Sequence, residues 1–206
     1  MACECFYLMS SKGFLTTFAA SPDLFEKALS EDLYGPESGR EIHRHLLYGD
    51  SITKDYPTYI HFPVIYRQID GKLMRDVLDM RFSCNEFLVS DRMKLALNNS
   101  GLTGWRTYPI LLFDRRGQEI RGYNGFTVTG RGGVLWSPVM LEDGSIVDRE
   151  HIVWDESQWD GSDIFWIKPN CVVVTAKVRE VVKKEKIQAL SFNPLNKLAM
   201  ILKKTP

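Results

Sequence analysis

Nowhere in this chain does an apolar run reach the length needed to cross a bilayer. The opening segment, MACECFYLMSSKGF, has neither the basic n-region nor the long apolar core of a secretory signal. Both absences point to a cytoplasmic protein without a membrane partner. Cysteine is sparse: Cys3, Cys5, Cys84 and Cys171 do not form the dense framework of a secreted disulfide-rich domain, and Cys3-x-Cys5 alone is too little for a zinc site. An excess of charge is missing too. Lys and Arg total 26, as do Asp and Glu, so no global field draws the chain to nucleic acid or to an anionic surface. The glycine-rich stretch Gly130-Arg131-Gly132-Gly133 lacks the closing Gly-Lys-Ser/Thr of a phosphate loop and reads as a tight turn.

What is present is an ordinary globular composition, 44% hydrophobic and 25% charged over 206 residues. It also contains a segment that occurs twice. Residues 87–110 and 172–195 align without a gap at a constant offset, so that Val89 falls on Val174, Ser90 on Thr175, Leu97 on Val182, Leu102 on Ile187 and Pro109 on Pro194. Each copy predicts an apolar strand ending in a hydroxyl residue, an amphipathic helix, a break and a return strand. Ser90 and Thr175 are placed to cap helices over 91–99 and 176–184.

Elsewhere, residues 6–10 predict an opening strand. Ser21-Pro22-Asp23 predicts a helix start, with apolar residues at helical spacing to Leu33. Residues 41–48 carry a weaker pattern. Residues 56–69 predict an extended segment, kept to an edge or an irregular strand by Pro57 and Pro63. Residues 72–80 fit a short helix or a strand. Residues 111–140 read as strands and turns, and the tail after Asn196 as a terminal helix. Together these patterns give one α+β domain over residues 1–206, with a mixed or antiparallel sheet and two related strand–helix–strand units.

The first copy, with its Val-Ser pair, amphipathic helix, Gly-Leu-Thr-Gly and Tyr-Pro-Ile, resembles a recurrent element of bacterial immunity proteins from polymorphic and contact-dependent toxin systems. Gly161-Ser162-Asp163-Ile164-Phe165, ahead of the second Val-Val-Thr unit, is similar to it as well. The resemblance covers about residues 80–110 and 160–195. The paired Cys-x-x-Cys motifs of one related immunity group are absent, which disfavours a zinc-bearing version. The resemblance implies a cytoplasmic antidote that binds and neutralises a cognate toxin domain without catalysis and without a cofactor. It carries no catalytic residue with it.

The residues give a matching candidate surface. From 142 to 163 eight carboxylates stand against Arg149 alone, while from Lys168 onward nine Lys and Arg stand against Glu180 and Glu185. Within the acidic stretch, Trp154 and Trp159 alternate with Asp155, Glu156 and Asp160. Aromatic anchors among carboxylates suit a protein interface, and an acidic face is steered to the basic cleft of a toxin that acts on nucleic acid. Phe165 and Trp166 read as core. His43-x-His45, even with His61 or Asp50, lacks established metal-ligand spacing, so no metal is expected. The second reading is an enzyme or small-ligand-binding domain with a site assembled from scattered residues, Tyr123, Asn124 and Arg131 first among them. The Lys183-Lys184-Glu185-Lys186 run is not matched by a wider basic stripe, which argues against nucleic acid as the partner.

Overall fold

The computed structural model describes residues 6–12, 16–22, 63–79, 87–136, 152–168 and 171–202. The expected helix over 24–33, the weaker pattern at 41–48, all four histidines, Cys3, Cys5, Cys84 and the carboxylates from Glu142 to Glu150 lie outside them. The described chain runs through β1 (Phe6–Ser11), β2 (Ala19–Pro22), β3 (Val64–Asp70), β4 (Val77–Asp79), β5 (Phe87–Ser90), α1 (Asp91–Asn99), β6 (Trp105–Tyr108), β7 (Ile110–Phe113) and β8 (Glu119–Ile120). It continues through β9 (Tyr123–Val128), β10 (Gly130–Trp136), β11 (Val153–Asp155), β12 (Ile164–Lys168), β13 (Cys171–Thr175), α2 (Ala176–Lys184), β14 (Leu190–Pro194) and β15 (Met200–Leu202). This is an α+β architecture with mixed sheets.

One sheet has the order β6-β9-β5-β4-β2-β3-β7-β8 and the other β14-β1-β13-β12-β10-β11-β15. Only Pro109 separates β6 from β7, yet they lie towards opposite ends of the first sheet. One residue spans only a few ångströms, so that sheet has to curl until its ends meet. The second sheet behaves alike, because β14 and β15 occupy its two ends and residues 195–199 join them.

Each curled sheet has a core of its own. Phe18, Val64, Tyr66, Leu78, Leu88 and Leu112 form one, and Phe6, Trp154, Phe165, Ile167, Val173 and Leu195 the other. A third core lies between the sheets and takes in both described helices, through Met93, Ala96 and Leu97 of α1 and Val178 and Val182 of α2. Strand alternation sorts the residues. Leu88 points into the first sheet's core and Val173 into the second's, while their neighbours Phe87, Val89, Val172 and Val174 face the shared core.

The helices form where their caps and apolar spacing place them. The Ser90 hydroxyl accepts from the Met93 amide at 3.2 Å, so α1 starts at Asp91. Thr175 holds the same position ahead of α2 but makes no side-chain cap bond. Its hydroxyl instead donates to Asp163 Oδ1 at 3.2 Å.

Four expectations need correction. Ser21 and Pro22 do not begin a helix; they lie in β2, opposite Arg67 and Tyr66. β3 is not an edge strand but runs between β2 and β7, because Pro63 precedes the first paired residue and its missing N–H falls outside the ladder; it is irregular, with a register shift against β2 between Ala19 and Ala20. The tail forms a 3₁₀ turn, Leu195–Lys197, and then β15, instead of a helix. Gly130-Arg131-Gly132-Gly133 is no tight turn. It lies inside β10, where the register with β12 shifts between Arg131 and Val134. The glycines are needed for close approach: a Cβ on Gly130 would meet the Ser162 hydroxyl oxygen at 2.0 Å, and one on Gly132 would meet the Phe165 ring at 2.5 Å.

Candidate partner-binding surface

The acidic aromatic segment begins in β11 and crosses back over β10 on its way to β12. Asp155 ends the strand and opens a 3₁₀ turn, Glu156–Gln158, by accepting from the Ser157 amide at 2.9 Å. Those hydrogen bonds from Ser157 hold the Asp155 carboxyl below the usual aspartate range. The segment is strapped to the irregular part of β10 by side chains. Gln158 Oε1 accepts from the Val134 amide at 3.1 Å, and Asp160 Oδ2 from the Arg131 amide at 2.7 Å. Asp160 Oδ1 also accepts from the Ser162 amide at 3.0 Å. Asp160 is exposed, whereas Asp155 and Glu156 are half-buried.

The two tryptophans expected to anchor a partner differ. Trp154 is fully buried, donates its indole N–H to the Gly132 carbonyl at 2.6 Å and meets the Phe6 ring edge-on at 4.9 Å. It is a core residue with no surface to offer, because alternation along β11 turns it inward. Trp159 is half-buried, with its indole N–H donated to the Ser162 carbonyl at 2.9 Å and its ring 5.1 Å from Phe6. Phe165 and Trp166 are core, as the sequence suggests.

The register supplies exposed apolar residues that sequence reasoning missed. Leu135, Trp154 and Ile201 pair across β10, β11 and β15, and so do Trp136, Val153 and Met200. The first row points inward, so the second points out, with Trp136 54% and Met200 67% exposed. Asp155 pairs with Leu202, which places a carboxylate on the same outward face beside another exposed apolar side chain. β15 is the last strand of its sheet. The outer face of β10, β11 and β15 is thus an apolar strip of Trp136, Val153, Met200 and Leu202, bordered by Asp155. The signal in the sequence was the in–out alternation of Leu135-Trp136, whose strand partners are remote in the chain.

The residues weighed for a small-molecule site are tied up locally and in different places. Tyr123 donates its hydroxyl to the Arg75 carbonyl at 2.9 Å, and burial, with the Asp76 charge adding to it, raises its phenol above the ordinary range. Asn124 bridges Asp91 and Lys94 of α1. The Arg131 guanidinium folds back on the carbonyls of Val128 and Gly130. Burial pushes the Cys171 thiol up. Among the described residues no three His, Cys, Asp or Glu side chains are grouped to hold a metal ion, and no helix is long and apolar enough to cross a membrane. Compared with known proteins, the chain matches no protein-family model and no curated protein.

Proposed function

We propose that this protein is an immunity protein that binds a cognate bacterial toxin domain in the cytoplasm and neutralises it without catalysis. The observation that carries this reading is the outward face on which Trp136, Met200 and Leu202 adjoin Asp155. Large exposed apolar side chains gathered on one face mark interaction sites, and an aromatic anchor inside a charged rim is how protein interfaces concentrate their energy. The carboxylates favour a basic partner, such as a toxin domain with a cleft for nucleic acid. The sequence resemblance at 80–110 and 160–195 supports the same function. As part of this reading, the segments 87–110 and 172–195 are related units, supported by their shared strand–helix–strand order. The test is co-expression with the toxin domain encoded by the neighbouring gene, followed by titration calorimetry of the purified pair. A stoichiometric complex that suppresses the toxin's activity is expected. A toxin that stays active and elutes apart from this protein contradicts the proposal.

A further inference from the structure

The correspondence between the two segments holds in the backbone as well. After α1 and after α2 the chain makes the same turn. Leu102 donates its amide to the Leu97 carbonyl, and Ile187 to the Val182 carbonyl, at 3.2 and 2.9 Å. Gly101 and Gly104 adopt φ of +62° and +83°, and the residues 85 further on, Lys186 and Ala189, adopt +52° and +68°. Lys186 and Ala189 are the only described residues other than glycine with positive φ, and both stand where the first segment has glycine.

Two carboxylates repeat the pattern. Asp76 accepts from the Ser90 hydroxyl at 2.9 Å, from the Gln188 amide at 2.8 Å and from Arg92 at 2.8 Å. Asp163 accepts from the Thr175 hydroxyl at 3.2 Å and from the Thr103 amide at 3.0 Å, with Lys177 at 3.8 Å. Ser90 aligns with Thr175, Arg92 with Lys177 and Thr103 with Gln188. Each carboxylate therefore holds the helix start of its own segment and the post-helix turn of the other.

The strands extend the match to every described strand except β8. β2 pairs in parallel with β4 and antiparallel with β3, and β10 pairs in parallel with β12 and antiparallel with β11. β3 then pairs in parallel with β7, as β11 does with β15. By this correspondence β1 is the counterpart of β9, yet the two have changed places. β9 lies between β5 and β6, and β1 between β13 and β14. The registers coincide: Tyr108 faces Gly125 and Trp105 faces Val128, as Asn193 faces Leu8 and Leu190 faces Ser11. Phe6, carried by β1, sits in the aromatic cluster of Trp154, Trp159 and Phe165 in the second sheet.

We infer that the described residues of 6–113 and those of 123–202 are two copies of one unit that exchange their first strands, so that each half completes the sheet of the other. This extends the relation between segments proposed above and is independent of toxin binding. Each half presents a slot between its fifth and sixth strands whose occupant is the first strand of the other half. The exchange interlocks the halves, because neither sheet is continuous without a strand from the other part of the chain.

The full-length protein tests this with two cysteine pairs at equivalent register positions. They are Ser10→Cys with Ser191→Cys, where the native hydroxyl oxygens are 2.7 Å apart, and Arg106→Cys with Thr127→Cys. After mild oxidation of the folded variants, mass spectrometry of peptides is expected to find the 10–191 link in the first and the 106–127 link in the second. Hydrogen exchange on the unmodified protein gives a readout that needs no variant. The amides of β1 and β9 are expected among the slowest in the chain. Absence of both links from folded variants, or a β1 that exchanges as fast as a frayed terminus, overturns the exchange. One link without the other overturns the equivalence of the halves.

Discussion

Exposure separates residues that composition makes look alike. Trp154 and Trp136 are both tryptophans near the acidic segment, but one is in the core and the other is 54% exposed. Trp154→Ala is expected to cost about 3–5 kcal/mol of stability through the cavity it leaves. Trp136→Ala is expected to change stability by no more than about 0.5 kcal/mol, as exposed substitutions usually do. Urea denaturation of both variants checks the contrast. At the post-helix turn, Lys186 holds a left-handed conformation at φ +52°. Lys186→Gly is expected to stabilise the protein by about 0.5–1 kcal/mol, since the left-handed region costs other residues roughly 1–2 kcal/mol and glycine returns part of that as chain entropy. Gly104→Ala is expected to destabilise, because its Cβ would lie 2.0 Å from the Ile164 carbonyl oxygen. Thermal melts of the two variants read the opposite shifts. The Asp155 carboxyl, lowered by Ser157, gives a signed pH effect. A depressed folded pKa contributes stability above the ordinary aspartate value of about 4, and that stability is lost as pH falls through the folded value. The stability gap between wild type and Asp155→Asn is therefore expected to narrow on acidification, measured by denaturation across that range.

Among the elements, those with local signals were legible. The cap at Ser90, the apolar spacing of Met93 and Leu97 and the break at Gly101 define α1 without help from the rest of the chain, and the strands at 87–90 and 171–175 show as short apolar runs. Ser90→Ala is expected to cost about 1 kcal/mol, the usual loss on removing a capping hydroxyl, read from the denaturation midpoint. Elements whose identity depends on remote neighbours were misread. Pro22 carries a helix-start pattern but ends a strand opposite Tyr66. The glycines of β10 look like a turn, and only the approach of Ser162 and Phe165, some thirty residues away, explains why side chains are excluded there. The tail has helical spacing at Leu198, Ile201 and Leu202, yet β11 offers it an edge to pair with. The candidate surface was half legible for the same reason. The acidic turn is visible as a run of carboxylates, whereas the apolar strip arises only when three strands remote in sequence align.

At the scale of the molecule, two curled sheets share a core built around α1 and α2, and the outer face of β10, β11 and β15 lies away from it. That arrangement lets Trp136 be altered without disturbing the fold, so that binding and stability are separable at that position. Neutralising Asp155, Glu156 and Asp160 together is expected to slow association with a basic toxin domain, more at low salt than at high, as stopped-flow measurements would read. The central claim, that this face binds the toxin, is tested most directly by the affinity of folded Trp136→Ala for the cognate toxin domain. The account predicts an unchanged melting temperature and binding weakened by about 2 kcal/mol, roughly thirtyfold in Kd, chiefly through faster dissociation. A folded Trp136→Ala that binds the toxin as tightly as the wild type would contradict it.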